Sequence, residues 1–410
     1  MFPAFSIALS ALNADSTGID VVGNNLANLN TAGFKASDVD FQDLMYQTLG
    51  VGSNGQVGMG VGQISAIENF TQGAITTTNG PTDAAIEGNG FFVVKDSNSN
   101  TLYTRAGDFQ LDANGNLVTA AGDMVQGWTA VDGVVNPNGP VSNLNFPVGT
   151  TTPAVATTSM SMNVNLDSSA AIGASFSAPV QVYDSQGTAH TLTITMTKTA
   201  ANSWSYVANV PASDQTAPAA GGLLSGALTF DANGNLTAPV GAQVIPITGL
   251  SDGAADMSIN WNLVNSSGAN TITQYAQSSG VSNPVQDGSA AGQITSIGLE
   301  NGGILVANYS NGQQVTVGQL AMASITNPGS LIQVGNNNLE ASAATAQPAL
   351  GAAGTGGRGQ IIGGSIEAST ADMATQFTDL LSYERSYQAA SRVITTSDQL
   401  LQETVNLIHP

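Results

Sequence analysis

The sequence predicts an α+β fold that is mostly β, with coiled-coil-like helices at the two chain ends and nested β domains between them, an outer domain inserted in an inner one. Three observations carry this. Apolar residues recur at a 4-3 spacing near both ends. Short apolar runs separated by Asn, Asp and Gly turns fill the middle. The 47 glycines among 410 residues match a chain that turns often.

Near the start, Phe5, Leu9, Leu12, Ser16, Ile19, Gly23 and Leu26 fall on one stripe of a helix. Helix propensity drops through Asn28, Asn30, Thr31 and Gly33. At the other end Met373, Phe377, Leu380, Glu384, Tyr387, Ser391, Ile394, Asp398, Leu401, Val405 and Ile408 repeat the spacing. That element follows a glycine-rich run, Gly351–Gly364, read as flexible, with Ser369 or Thr370 as N-cap and Asp372 in the first turn. Roughly 38 helical residues would extend about 57 Å. A one-sided helix of that length needs a partner. The N-terminal helix is the expected one, which brings the chain ends together. Without further information the stripes fit packing inside one monomer as well as self-association. The interruptions at Ser16, Gly23, Glu384 and Asp398, and the position of the helices beyond Gly-rich joints, favour assembly. Phe5, Leu9, Leu12, Ile19, Leu26, Phe377, Leu380, Tyr387, Ile394, Leu401 and Val405 are therefore the expected assembly residues, and Ala8, Ala11 and Gly18 leave room for close neighbours.

Between the ends, Phe91–Val94 and Leu102–Arg105 flank a polar turn, and Phe109–Leu111 and Leu117–Thr119 flank Asp112–Asn116 with its central Asn-Gly. The same turn recurs at Asp231–Asn235, between Leu228–Phe230 and Leu236-Thr237. Further strands are expected at Ala178–Tyr183, His190–Thr197, Ser203–Val210, Gly303–Tyr309 and Gln314–Ile325. Asn145–Thr158, rich in Pro and Thr, reads as a linker. The expected plan pairs terminal helices 1–30 and 365–410, a connecting segment 31–72, an inner β domain from 73–145 and 285–364, and an inserted outer β domain at 146–284.

Composition excludes several functions. Apolar residues make up 42%, and mean hydropathy is +0.08, so the chain can build cores. Charged residues are only 9%, with 28 acidic against 7 basic and a net charge of −21. Nucleic acid needs a basic patch, which seven cations scattered along the chain do not supply. There is no cysteine, hence no disulfide and no thiolate metal site. The start lacks the basic and apolar regions of a cleavable signal peptide, and no run reaches a membrane span's length.

Catalysis and cofactors are not expected. The two histidines, His190 and His409, give no triad or multi-histidine metal site, and His190 reads as an ordinary surface or turn residue. Asp112, Asn114 and Asn116, like Asp231, Asn233 and Asn235, have the alternating oxygen spacing of a calcium loop. Leu117 and Leu236, however, stand where that loop needs glycine, and neither copy has the closing Glu, so hairpin turns are expected and no metal. A secreted β-rich adhesin also fits the Thr, Asn and Gly richness, but not the terminal helices.

Gly23–Lys35, with Asn24, Asn25, Asn28, Gly33, Phe34 and Lys35, resembles the N-terminal signature of the bacterial flagellar rod and hook axial proteins. Gly88–Val94, Tyr103–Phe109 and Gln126–Trp128 resemble that family's following blocks, and Tyr309–Gly312, Ile366–Ser369 and Tyr387–Thr396 its last ones. Thr370-Ala371 stands where the family usually has Asn-Val, and Ala390 where Asn is common. The resemblance covers roughly residues 1–145 and 285–408. The large middle segment favours the hook subunit over the distal rod subunit, which lacks one. It implies a helical homopolymer, a flexible tube acting as a universal joint between rod and filament. Its partners would be the rod, hook cap and hook–filament junction proteins and the flagellar type III export apparatus. The location would be the extracellular hook of the flagellum and its basal body, reached without a cleavable signal peptide.

Overall fold

The computed structural model describes residues 3–44, 46–48, 56–146, 149, 151–217, 221–265 and 267–408; His409 lies outside them. The chain divides into two compact units. Unit 1 comprises 1–148, 296–307 and 314–410, and unit 2 comprises 149–295 and 308–313.

Unit 1 holds both long helices, α1 (Pro3–Ala27) and α2 (Met373–Ile408). Its main sheet runs Gln314–Leu320, Met124–Val131, Phe91–Lys95, Thr101–Thr104, Asn338–Ala341 and Leu331–Gly335 in spatial order. Phe91–Lys95 and Thr101–Thr104 form the expected hairpin, with Val94 opposite Leu102. Phe92, Val94, Phe109, Leu117, Phe146 and Leu320 fill one core, where the Phe92 and Phe109 rings meet edge to face at 5.0 Å. Phe91, Val93, Tyr103 and Trp128 fill a second core on the opposite face, as strand alternation requires.

Two expectations for unit 1, the flexible glycine-rich run and the N-cap of α2, need correction. The glycine-rich run is not a free joint: Ala349–Gly351 pairs with Met322–Ser324, and Gln360–Gly363 with Ala84–Glu87. Its glycines allow close backbone approach, since a Cβ at Gly359 or Gly363 would collide with the Glu87 or Leu299 carbonyl. The connecting segment contains an antiparallel ribbon, Ser37–Asp43 against Val61–Glu68. The N-cap of α2 is Asp372, whose Oδ1 accepts from the Thr375 amide at 2.8 Å. Thr370 lies three residues before the first helical residue, and its hydroxyl oxygen accepts from the Ala36 amide at 2.8 Å.

Unit 2 is a two-sheet structure with one core. Ser175–Tyr183, Ala189–Ala200, Ser203–Asn209, Leu224–Phe230 and Leu236–Ala238 form an antiparallel meander. Ser159–Asp167 leads the second sheet, parallel to Met257–Asn262 and Ile272–Tyr275 and antiparallel to Gly280–Gln286. Burial alternates residue by residue along Ser159–Asp167 and Ala189–Ala200, pointing Met162, Leu166, Leu192 and Ile194 inward. Tyr206 and Trp261 meet edge to face at 5.4 Å in that core. Part of the expected linker belongs to this unit: Thr157 is buried, its amide donating to Tyr183 O, and Val155 bridges to Ser289. Residues 147, 148 and 150 lie outside the described residues.

Both Asp-Ala-Asn-Gly-Asn stretches are hairpin turns. Asp112 Oδ1 accepts from the amides of Asn114 and Asn116, and Asp231 Oδ1 from those of Asn233 and Asn235, all at 2.8 Å. Each carboxylate is thus consumed by its own turn.

Candidate assembly interface

The helices α1 and α2 pack antiparallel through small residues. Asn25 Nδ2 donates to Gln376 Oε1 at 2.9 Å, Gly18 lies against the Tyr383 ring, and Asp15 hydrogen-bonds Ser386. These pairs share one register: seven residues down α1 match seven up α2, and three more match three. A Cβ on Gly18 would stand 3.0 Å from Tyr383 Cζ, so glycine there permits the close approach. Ala8, Ala14, Asp15, Val22 and Asn25 on α1, and Gln376 and Ala390 on α2, are buried. Burial raises the Asp15 carboxyl above its usual range, with the Ser386 bond opposing it.

This seam is rotated by about one residue from the apolar stripes expected from spacing. Phe5, Leu12, Ile19, Leu26, Leu380 and Ile394 are partly buried, while Leu9, Phe377, Tyr387, Leu401 and Val405 are exposed. Phe377, at 50% exposure, shares its flank of α2 with Met373 and Leu381, also exposed; Val393 and Leu400 stand exposed on the other flank. Continuing the register places Pro3, the start of α1, opposite Asp398. Leu401 and Val405 continue the seam past that point, exposed and without an α1 residue facing them among the described residues.

The signature after α1 locks the helix pair onto the β body. Asn25 Nδ2 donates to Ser37 O at 2.8 Å, and its Oδ1 accepts from the Ser37 amide at 3.0 Å. Asn28 Nδ2 donates to the Asn24 carbonyl at 2.9 Å, closing the helix end, and Asn28 Oδ1 accepts from the Thr31 hydroxyl. Gly33 turns the chain at φ +68°, where a Cβ would collide with the Arg105–Ala106 peptide, and its amide donates to Glu367 O at 2.8 Å. Phe34 is buried, and its carbonyl accepts from the Thr370 amide.

Lys35 ends the signature in a buried charge cluster. Glu367, with no exposed surface, accepts from Lys35 Nζ at 2.7 Å, from Arg105 Nη1 at 3.2 Å and from the Gly73 amide at 2.7 Å. Lys35 also donates to Thr71 O at 2.6 Å and Arg105 to Gly88 O at 2.7 Å, while Arg105 lies 5.4 Å from the Phe91 ring centroid. Burial lowers the pKa of both cations, and Glu367 opposes that shift. One carboxylate thus ties the residues after α1, the β body and the strand entering α2. Glu367 was visible in the sequence only as part of the Ile366–Ser369 block; nothing there linked it to Lys35. Beside the cluster, Asn24, Lys35, Glu68, Arg105 and Asn337 line a cavity of about 220 Å³. Burial pushes the Glu68 carboxyl up to about 7.

Four family models match the chain in order: a flagella basal body rod protein model at residues 5–35, the flagellar hook protein FlgE/F/G D1 domain at 85–167, the flagellar basal body protein FlaE D2 domain at 163–289, and the flagellar basal body rod FlgEFG protein C-terminal model at 362–407. The flagellar hook protein FlgE of Escherichia coli K12 is 34% identical, over 98% of this chain and 100% of that protein. The chain belongs to the flagellar hook protein family. The FlgE of Borreliella burgdorferi is 33% identical over 97% of this chain and 98% of its own. The crystal structure of Helicobacter pylori hook protein FlgE2 shares the fold, with a TM-score of 0.50 at 15% identity over 65% of this chain and 93% of that one. As a hook protein, the chain is a structural subunit of the flagellum, in a family of structural components. The signature residues from Asn24 to Lys35 lie within the rod-protein match, and Glu367 within the C-terminal match. Among the described residues no helix is long and apolar enough to cross a membrane.

Proposed function

We propose that the chain polymerises helically with copies of itself through the exposed faces of α1 and α2, forming a flexible tube that transmits torque from rod to filament. The observation that carries this reading is the set of exposed apolar side chains on α2: Met373, Phe377 and Leu381 on one flank, Leu400 on the other, and Leu401 and Val405 beyond the end of the seam. Full burial of such a side chain is worth about 1.5–3 kcal/mol; these are partly exposed, so each forgoes a fraction of that, which a polymer recovers in every subunit. Membership of the hook protein family supports the same reading.

The helices would form the polymer core, with a discontinuous inner β domain of 73–145 and 285–364 around it and an inserted outer β domain of 146–284 outside that. The subunits meet the rod, hook cap and hook–filament junction proteins, and are exported by the flagellar type III apparatus without a cleavable signal peptide. The low density of strong charge pairs suits contacts that slide as the tube bends. Electron microscopy of the concentrated, purified protein tests the reading: uniform hollow tubes are expected, and a protein that stays monomeric or gives only amorphous aggregate contradicts it.

A further inference from the structure

His190 is not the surface or turn histidine the sequence implied. It is buried at the start of strand Ala189–Ala200, and three aspartates from three separate turns converge on its ring. Asp184 closes the hairpin before the strand; Asp214 ends the short helical turn Ala212–Asp214; Asp252 follows Leu250. The turns are fastened to one another: the Ser251 amide donates to Asp214 O at 3.0 Å, the Ser251 hydroxyl to Ser213 O at 2.9 Å, and the Ala255 amide to Ser185 Oγ at 3.1 Å.

The two ring nitrogens face different surroundings. Nδ1 lies 3.0 Å from Asp214 Oδ2, the arrangement in which a carboxylate accepts a hydrogen bond from Nδ1–H and fixes the tautomer. In that neutral tautomer Nε2 presents its lone pair. It points between Asp184 Oδ2 at 3.2 Å and Asp252 Oδ2 at 3.5 Å, and those two carboxyl groups also lie within hydrogen-bonding reach of each other. Three lone-pair donors aimed at one point repel unless something positive stands among them. A single proton on Nε2 serves two carboxylates poorly, and both separations exceed the ~2.7–2.9 Å of a charge-assisted bond. Lys198, the only Lys or Arg in unit 2, donates instead to Ser168 O and Ala170 O.

We propose that His190 Nε2, Asp184 and Asp252 bind one divalent transition-metal ion of the zinc type, with Asp214 positioning the imidazole. Ligands about 2.0–2.2 Å from a tetrahedral ion lie roughly 3.3–3.6 Å from one another, so a shift of about 0.1 Å at Asp184 brings both separations into range. Histidine nitrogen with two carboxylates suits zinc, cobalt or manganese, whereas calcium takes six to eight oxygens. Asp214 and Asp252 retain about a quarter of their side-chain exposure, giving the ion a path in and water a place in the fourth position. Bound there, the ion clamps three turns at one end of unit 2. It has no part in the terminal-helix interface, so the proposal stands independently of the polymerisation reading.

Cobalt(II) titrated into the EDTA-treated, desalted full-length protein reads the site directly. The expected result is one equivalent bound, with the visible absorption of a tetrahedral or five-coordinate ion, displaced by zinc. His190→Ala and Asp252→Asn each abolish the band. Asp214→Asn keeps the band but weakens binding about 10–100-fold, as loss of an orienting carboxylate does. Because about a quarter of the Asp252 side chain is exposed, Asp252→Asn remains informative if His190→Ala fails to fold. No visible band with the native protein, or a band unchanged in both ligand variants, overturns the proposal.

Discussion

Replacing Glu367 by Gln probes the charge cluster beneath the helix pair. The side chain keeps its shape but loses the charge that two buried cations share, at 2.7 Å from Lys35 and 3.2 Å from Arg105. Lys35 and Arg105 are themselves nearly buried, with side-chain exposures of 5% and 7%, so water cannot take over the role. Removing one partner of a buried pair costs about 3–5 kcal/mol, because an uncompensated charge remains. In a body the size of unit 1, each kcal/mol moves the midpoint by about 2–4 °C, so its thermal transition should fall by roughly 6–20 °C. Differential scanning calorimetry of the full-length monomer measures this, and the transition of unit 2 serves as an internal reference. Adding Lys35→Met to Glu367→Gln removes one stranded cation, so the double variant should lose less than the sum of the two single changes. A loss below about 1 kcal/mol, the value of an exposed pair, would refute the claim that this cluster anchors the helices.

Two further outcomes follow from the same region. Gly33→Ala places a Cβ into the Arg105–Ala106 peptide at a left-handed φ of +68°, and should cost more than the ~1 kcal/mol of an ordinary glycine substitution, read by urea unfolding. Glu68 keeps its proton to about pH 7 when folded, while the unfolded chain releases it near 4.5. The folded state therefore binds more protons across that window, and the stability of unit 1 should fall as pH rises from 4.5 to 7. Glu68→Gln should flatten that slope in a pH series of melting curves; an unchanged slope would show that Glu68 is not its source.

Much of the architecture was legible because it rests on local signals. The long α2 stripe, the Asn-Gly turns at Asn114-Gly115 and Asn233-Gly234, and the alternation along Ala189–Ala200 each follow from residues close in sequence. The helix seam was misplaced by one residue because the contacts that close it involve Ala8, Ala14, Gly18 and Asn25, which carry little or no hydrophobic signal. The Ser37–Asp43 ribbon was missed because most of that strand is exposed and shows no sustained alternation. The Lys35–Glu367 contact joins residues 332 positions apart, and the aspartates around His190 come from three turns, so neither could be read without the fold. Thr370, atypical beside the family resemblance, proves to hold the Ala36 amide, which moved the cap to Asp372.

The exposed faces of the terminal helices are the proposed assembly surfaces. Phe377 tests it most directly because half of its surface is already exposed in the single chain. A carboxylate at that position costs the monomer little, but within a polymer contact it meets desolvation. The α2 helix supplies only Arg385 and Arg392 as cations. Tube formation by Phe377→Asp, scored by electron microscopy beside the melting temperature of the free monomer, is the decisive measurement. Lost or crippled assembly is expected, with monomer melting within about 2 °C of the parent, as for an exposed surface change. Normal tubes, or a collapse of monomer melting, would contradict it.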